Sequence, residues 1–156
     1  MHQDPDIRLL DVGLERLDAL ADAAAALIAD EGGAPPAPVT LRARLRRRLQ
    51  EDQRATLFTL DEAIVGHALW TLLTPGVRLE QFRIVPAWRR RGLGRHCLEA
   101  LVAQRLAGPA PIVVRVLADN GAGIAFWRAN GFTTTGDACA SLPRCLQILP
   151  QPDRPA

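Results

Sequence analysis

The chain has 156 residues, a formal charge of +2, and 48% apolar against 23% charged side chains. That length supports one domain whose core needs no staples, and that charge is too small for nucleic-acid binding without a concentrated basic patch. No run approaches the roughly 20 apolar residues of a membrane span. The opening MHQDPDIRLL lacks the basic start and long apolar stretch of a secretion signal. A cytoplasmic protein without membrane or nucleic-acid partners is therefore expected.

Absences narrow the chemistry further. The chain contains no lysine and no tyrosine, and Ser141 is its single serine. Schiff-base catalysis and a Walker-type phosphate lysine are excluded. Ser141 in CASLPRC lacks the G-x-S-x-G elbow of a serine hydrolase. Cys97, Cys139 and Cys145 are odd in number and irregularly spaced, which argues against a disulfide framework or a zinc site, and no metal is expected.

In chain order, IRLL at 7–10 reads as a first strand. Asp11 suits a helix cap, followed at helical spacing by Leu14, Leu17, Leu20, Ala24, Leu27 and Ile28. EGGAPPAP at 31–38 breaks that helix. Thr40 can cap a second helix, with Leu41, Leu45 and Leu49 on one stripe and Arg42, Arg44, Arg46, Arg47 and Arg48 on the other faces. Those arginines read as a solvated flank or as a surface for an anionic tail.

The period then changes. ATLFTL and IVGHALWTLL form a hairpin through DEA, and TPG turns the chain into VRLEQFRIV, closed by Pro86. A helix runs from Leu93 to about Leu106, IVVRVLA is a buried strand, and Asn120 opens a helix stopped by Gly131. FTTTG and RCLQIL read as closing strands. The domain is expected to span residues 1–150, with a frayed tail at 151–156.

Between the third hairpin strand and the next helix lies VPAWRRRGLGRH. A P-loop would need a lysine, and a dinucleotide fingerprint would need a third glycine where Cys97 stands. A third design remains. The glycines open a helix whose first N–H groups lack carbonyl partners, an arrangement that favours a phosphate by about 0.3–1 kcal/mol, up to about 2 when partly buried. Arg89, Arg90, Arg91 and Arg95 add charge.

These residues resemble the GNAT superfamily of acyl-CoA-dependent N-acetyltransferases. The R/Q-x-x-G-x-G/A hallmark is matched by Arg89, Gly92 and Gly94, preceded by Ile84-Val85-Pro86. A second block is matched from Asn120 through Gly131-Phe132. The resemblance implies an α/β fold with a mixed, mostly antiparallel sheet flanked by helices and splayed between the fourth and fifth strands. It implies acetyl-CoA as acyl donor, with the amides from Arg91 through Gly92, Leu93 and Gly94 to Arg95 on the pyrophosphate, and Ile84 and Val85 pairing with the pantetheine arm. Asn120 and Trp127 join that cofactor set.

Attack on a thioester needs a neutral amine. A lysine-like amine costs about 4.6 kcal/mol to deprotonate at pH 7, an α-amino group only about 1–1.4 kcal/mol. By period two, Glu80 shares a face with Phe82 and Ile84, partly desolvated with a raised pKa, and is the candidate base. The bland alternative pairs it with Arg78 or Arg83. His67 is a second candidate, with simple packing as its alternative, and Cys97 reads as core.

One departure stands out. Family members often carry an acidic tyrosine seven residues after the asparagine, where this chain has Trp127, and an indole N–H is not a usable acid. A thiolate leaving unprotonated keeps catalysis open. An acyl-CoA-binding sensor or interaction module is the alternative. Nucleic-acid binding through the Arg42–Arg48 helix is a third reading, and a homodimer through an exposed strand edge stays open. The acceptor itself has no readable code.

Overall fold

The structure, a computed structural model, describes residues 3–106, 111–134 and 144–150. Six strands form one sheet in sequential order. They are β1 (Arg8–Asp11), β2 (Gln53–Leu60), β3 (Ala63–Leu72), β4 (Val77–Ile84), β5 (Ile112–Leu117) and β6 (Arg144–Leu149). Helices α1 (Leu17–Asp30) and α2 (Pro38–Leu49) lie between β1 and β2. Helix α3 (Leu93–Gln104) follows β4, and α4 (Gly121–Ala129) follows β5. The first three pairings are antiparallel and the last two parallel, which is the mixed α/β architecture expected.

The sheet buries both faces. On one, Leu20, Ala21 and Ala24 of α1 and Leu41 and Leu45 of α2 pack on Ala55 and Leu69. On the other, Leu93, Cys97, Leu98 and Leu101 of α3 join Trp127 of α4 against Phe58, Leu79 and Val114. Of the stripes read from spacing, Leu20, Ala24, Leu41, Leu45, Cys97, Leu98 and Leu101 are buried, whereas Leu14 is exposed in the turn before α1. The arginines of α2 fall on the remaining faces because its apolar stripe is only one residue wide per turn.

Several local expectations are corrected. Asp11 ends β1 and pairs with Arg105 at 2.8 Å, while a short 3-10 turn at Leu14–Arg16 leads into α1. Thr40 lies inside α2, which starts at Pro38 after Ala37; a proline at the first turn loses no helical hydrogen bond. Of FTTTG, Thr133 makes an isolated bridge to Cys145, and residues 135–136 lie outside the described set, as do Cys139, Ser141 and the tail 151–156. Cys97 is free and buried, whereas Cys145 is disulfide-bonded, against the expectation from cysteine count.

The largest correction concerns β4. Its register against β3 slips between Leu69–Gln81 and Trp70–Leu79, which makes Glu80 the extra residue of a β-bulge. Leu79, Phe82 and Ile84 all contribute to the α3/α4 face despite their mixed spacing. Glu80 instead turns to the α1/α2 face, where Gln53 and Thr71 meet it. Period-two counting fails across a bulge because the slip moves every later side chain to the other face.

Candidate functional site

The polypeptide between β4 and α3 is built to leave a helix end open. A 3-10 turn at Pro86–Trp88 follows Val85, Arg89 is extended, and Arg90 and Gly92 both take left-handed φ values of 62° and 73°. Gly92 is the N-cap of α3 and offers no side-chain acceptor. The N–H groups of Leu93, Gly94 and Arg95 therefore find no backbone or side-chain partner among the described residues. Glycine suits position 92 because the backbone is left-handed there. Gly94 has a different reason: a Cβ would lie 3.0 Å from the Phe126 ring, so its absence lets α3 and α4 pack closely.

The four arginines of this stretch divide their work. Arg89 turns back into the protein, donating Nε to the Ile84 carbonyl at 2.8 Å and Nη2 to Asp30 at 3.0 Å. Arg91 lies over the Trp88 ring, 5.1 Å from its centroid. Arg95 pairs with Glu99 one turn on, on the exposed side of α3. Arg90 is exposed.

Beside this helix end the sheet opens. β4 pairs with β5 only through Val77–Ile112, Arg78–Val113 and Leu79–Val114, and the pairing stops at the Glu80 bulge. The remaining residues of the two strands are parted. Val85 donates its N–H to Val65, so strand alternation directs the main chain of Ile84 to the parted side and that of Val85 to β3. The α3/α4 side of the opening is walled by rings. Phe82 stacks on Phe126 at 5.8 Å and meets the edge of Trp127 at 5.4 Å, and Trp127 also packs edge-on to Phe126 and Phe132. Trp127 is thus a core side chain bordering the gap, 7% exposed.

The polar groups sit on the α1/α2 side. Glu80 accepts hydrogen bonds from Gln53 (2.5 Å), Thr71 (2.8 Å) and Arg78 (2.9 Å), with Arg48 4.0 Å away. The expected desolvated carboxylate is in fact one surrounded by donors. His67 is fully buried on β3 and shares a 3.0 Å hydrogen bond with Gln81, while its Nδ1 has no partner among the described residues. Burial first, with the charge of Arg83 adding to it against the opposing Gln81 bond, lowers the His67 pKa. A neutral, buried imidazole is the packed alternative. Cys97 is likewise core, its thiol pushed up to about 12 by burial.

A cluster that spacing could not show joins α1 to this end of β4. One oxygen of Asp30 accepts from Arg83 Nε at 2.8 Å and from Arg89 Nη2 at 3.0 Å. The Arg83 hydrogen bond chiefly, aided by that of Arg89 and both charges, outweighs desolvation and lowers the Asp30 pKa. Asn120 caps α4, accepting the Gly123 N–H at 3.0 Å, so this helix end is closed by its own side chain. A cleft of about 430 Å³, bordered by Trp70 and Arg105, lies at the opposite end of the strands. Among the described residues no group of His, Cys, Asp or Glu could hold a metal ion, and no helix is long and apolar enough to cross a membrane.

The family model described as the acetyltransferase (GNAT) family matches residues 19–132. The chain belongs to the GNAT family. It is an acyltransferase by that membership, with the open end of α3 and the parted strands inside the matched segment. Solved structures agree in fold. An acetyltransferase from Thermus thermophilus superposes with a TM-score of 0.72 at 26% identity, covering 88% of this chain and 93% of that one. An aminoglycoside N-acetyltransferase solved in complex with CoA gives 0.70 at 15% identity, with 93% and 99% covered. An acetyltransferase from an Arthrobacter species gives 0.67 at 22%, with 92% and 96% covered. No curated protein matches the GNAT chain in sequence.

Proposed function

We propose that the protein transfers an acetyl group from acetyl-CoA to a primary amine of a small molecule or a peptide by direct attack on the thioester. The observation that carries this reading is the uncapped N-terminus of α3 beside the parted ends of β4 and β5. Free N–H groups at a helix start favour a pyrophosphate, and the side-chain-free backbone at Gly92 lets it approach closely. The amides from Gly92 to Arg95 hold it, with the guanidinium of Arg91 in reach once it leaves Trp88. Ile84 offers its N–H to the pantetheine arm, its carbonyl already accepting from Arg89; Val85, whose N–H is committed to Val65, contributes through its position. Asn120 keeps α4 in register, and Trp127 walls the arm's path.

The bound thioester supplies an activated acyl group with a good leaving group. An N–C bond forms, the C–S bond breaks, and the amine gives up a proton. Glu80 stands where the unpaired half of β4 begins and is the proposed acceptor of that proton. Three donors already occupy its oxygens, so its contribution belongs at the low end of the usual range, about 10²-fold. The departing thiolate, of a thiol class that titrates at about pH 8.5, takes its proton from water, because Trp127 offers none.

Calorimetry with acetyl-CoA and CoA tests the binding step, and free thiol released in the presence of an amine panel tests transfer. Micromolar binding and amine-dependent thiol release are expected; absence of binding by either carrier would overturn the reading. The core-packed Trp127 in the position of an acid favours one alternative, an acyl-CoA sensor, which predicts binding without turnover on any amine.

A further inference from the structure

A carrier whose phosphates sit at α3 and whose arm threads between β4 and β5 must present its acyl carbon toward the α1/α2 face. The opposite face is closed by Phe82, Phe126 and Trp127. The acceptor then arrives beside the side chains that the unpaired half of β4 turns to that face, Gln81 and Arg83.

Arg83 is the unusual one. It is 8% exposed, and a guanidinium so far removed from water needs an anion. Its anion is one oxygen of Asp30, which Arg89 shares, so two guanidinium groups lean on one carboxylate. Arg83 commits only Nε; its Nη atoms make no hydrogen bond among the described residues. Glu31 adjoins Asp30 at the end of α1, and the arginines of α2 lie away from this end, Arg42 with Asp18 and Arg48 near Glu80. An oxyanion finds here the fork of Nη donors that Arg83 leaves uncommitted, a match that a second ammonium group cannot make.

We infer that the acceptor is an amine bearing its own oxyanion, a carboxylate or a phosphate, and that Arg83 determines this specificity by gripping that group while the amine faces the thioester. The inference rests on the acetyl-transfer reading and deepens it. It also sets this chain apart from its aminoglycoside-acetylating structural neighbour, whose named substrate class is cationic.

Thiol release from acetyl-CoA is to be followed with amino acids, amino phosphates, polyamines and aminoglycosides, using wild type, Arg83→Gln and Arg83→Lys. Folding of each is checked by thermal melting. One or both oxyanionic panels should turn over, the two arms separating carboxylate from phosphate. Arg83→Gln should raise the acceptor KM about tenfold or more while leaving the acetyl-CoA KM within about twofold. Arg83→Lys should recover part of that loss, and it carries the comparison if the glutamine variant does not fold. Preference for polycations, or an acceptor KM indifferent to Arg83, overturns the inference and leaves acetyl transfer standing. If no amine releases thiol, N-acetylated amino acids and N-acetylated amino phosphates titrated into CoA-saturated protein decide. Binding that weakens in the Arg83 variants upholds the oxyanion site while transfer falls, and no binding overturns it.

Discussion

The starts of α3 and α4 make opposite use of the same physical problem. Every helix begins with N–H groups that lack carbonyl partners. At α4, Asn120 closes the end with its own carbonyl oxygen, 3.0 Å from the Gly123 N–H. At α3, Gly92 brings no side chain and a left-handed backbone, and the donors stay available. The first arrangement stabilises the fold and the second leaves a deficit that a ligand makes good. A site of this kind is recognised by what is missing from a cap as much as by the charge around it.

Exchanging the two designs should break the comparison. Gly92→Asp places a capping carboxylate over the α3 donors, where it competes with and repels a pyrophosphate. CoA affinity measured by calorimetry should fall about 100-fold or more, with melting temperature changed little because the gained cap offsets the left-handed strain. Asn120→Ala should do the reverse. It should remove about 1 kcal/mol of stability in denaturant titration and leave CoA affinity within about twofold. A large loss of affinity there would show that the asparagine touches the ligand directly.

A smaller effect concerns the ion pair that joins α1 to β4. The Asp30 carboxyl is held below its ordinary 3.8 chiefly by its bond to Arg83. A group with a depressed folded pKa contributes stability above its unfolded value, and that contribution is lost as pH falls through the folded one. The melting temperature of wild type should therefore exceed that of Asp30→Asn near pH 6, and the difference should shrink below about pH 4. The margin is modest because the pair is partly solvated. A difference that widens on acidification would contradict the arrangement.

What the sequence disclosed follows the range of the interactions. Gly92, Gly94, Pro86 and the Asn120–Phe132 block are local patterns, each decided by a few neighbouring dihedral angles, and all fell where they were expected. The place of Glu80 was misjudged because a bulge depends on register against β3, and no count along β4 alone contains that register. The Asp30–Arg83–Arg89 cluster was missed because its members are 53 and 59 residues apart in the chain and meet only through folding. Trp127 lay between two readings until its ring neighbours were known. A hint was available for Arg83: an arginine in an otherwise alternating strand, on a buried face, demands a counter-ion.

The contact of Arg91 with Trp88 has a practical consequence. Trp70 and Trp127 are shut in the interior, whereas Trp88 is half-buried and lies beneath a cation that belongs to the phosphate-holding stretch. A guanidinium lifted from an indole alters that ring's emission, so the chain carries an optical reporter at the mouth of its own binding site. Occupancy should be readable from the unlabelled protein, a few residues away from the backbone that does the holding.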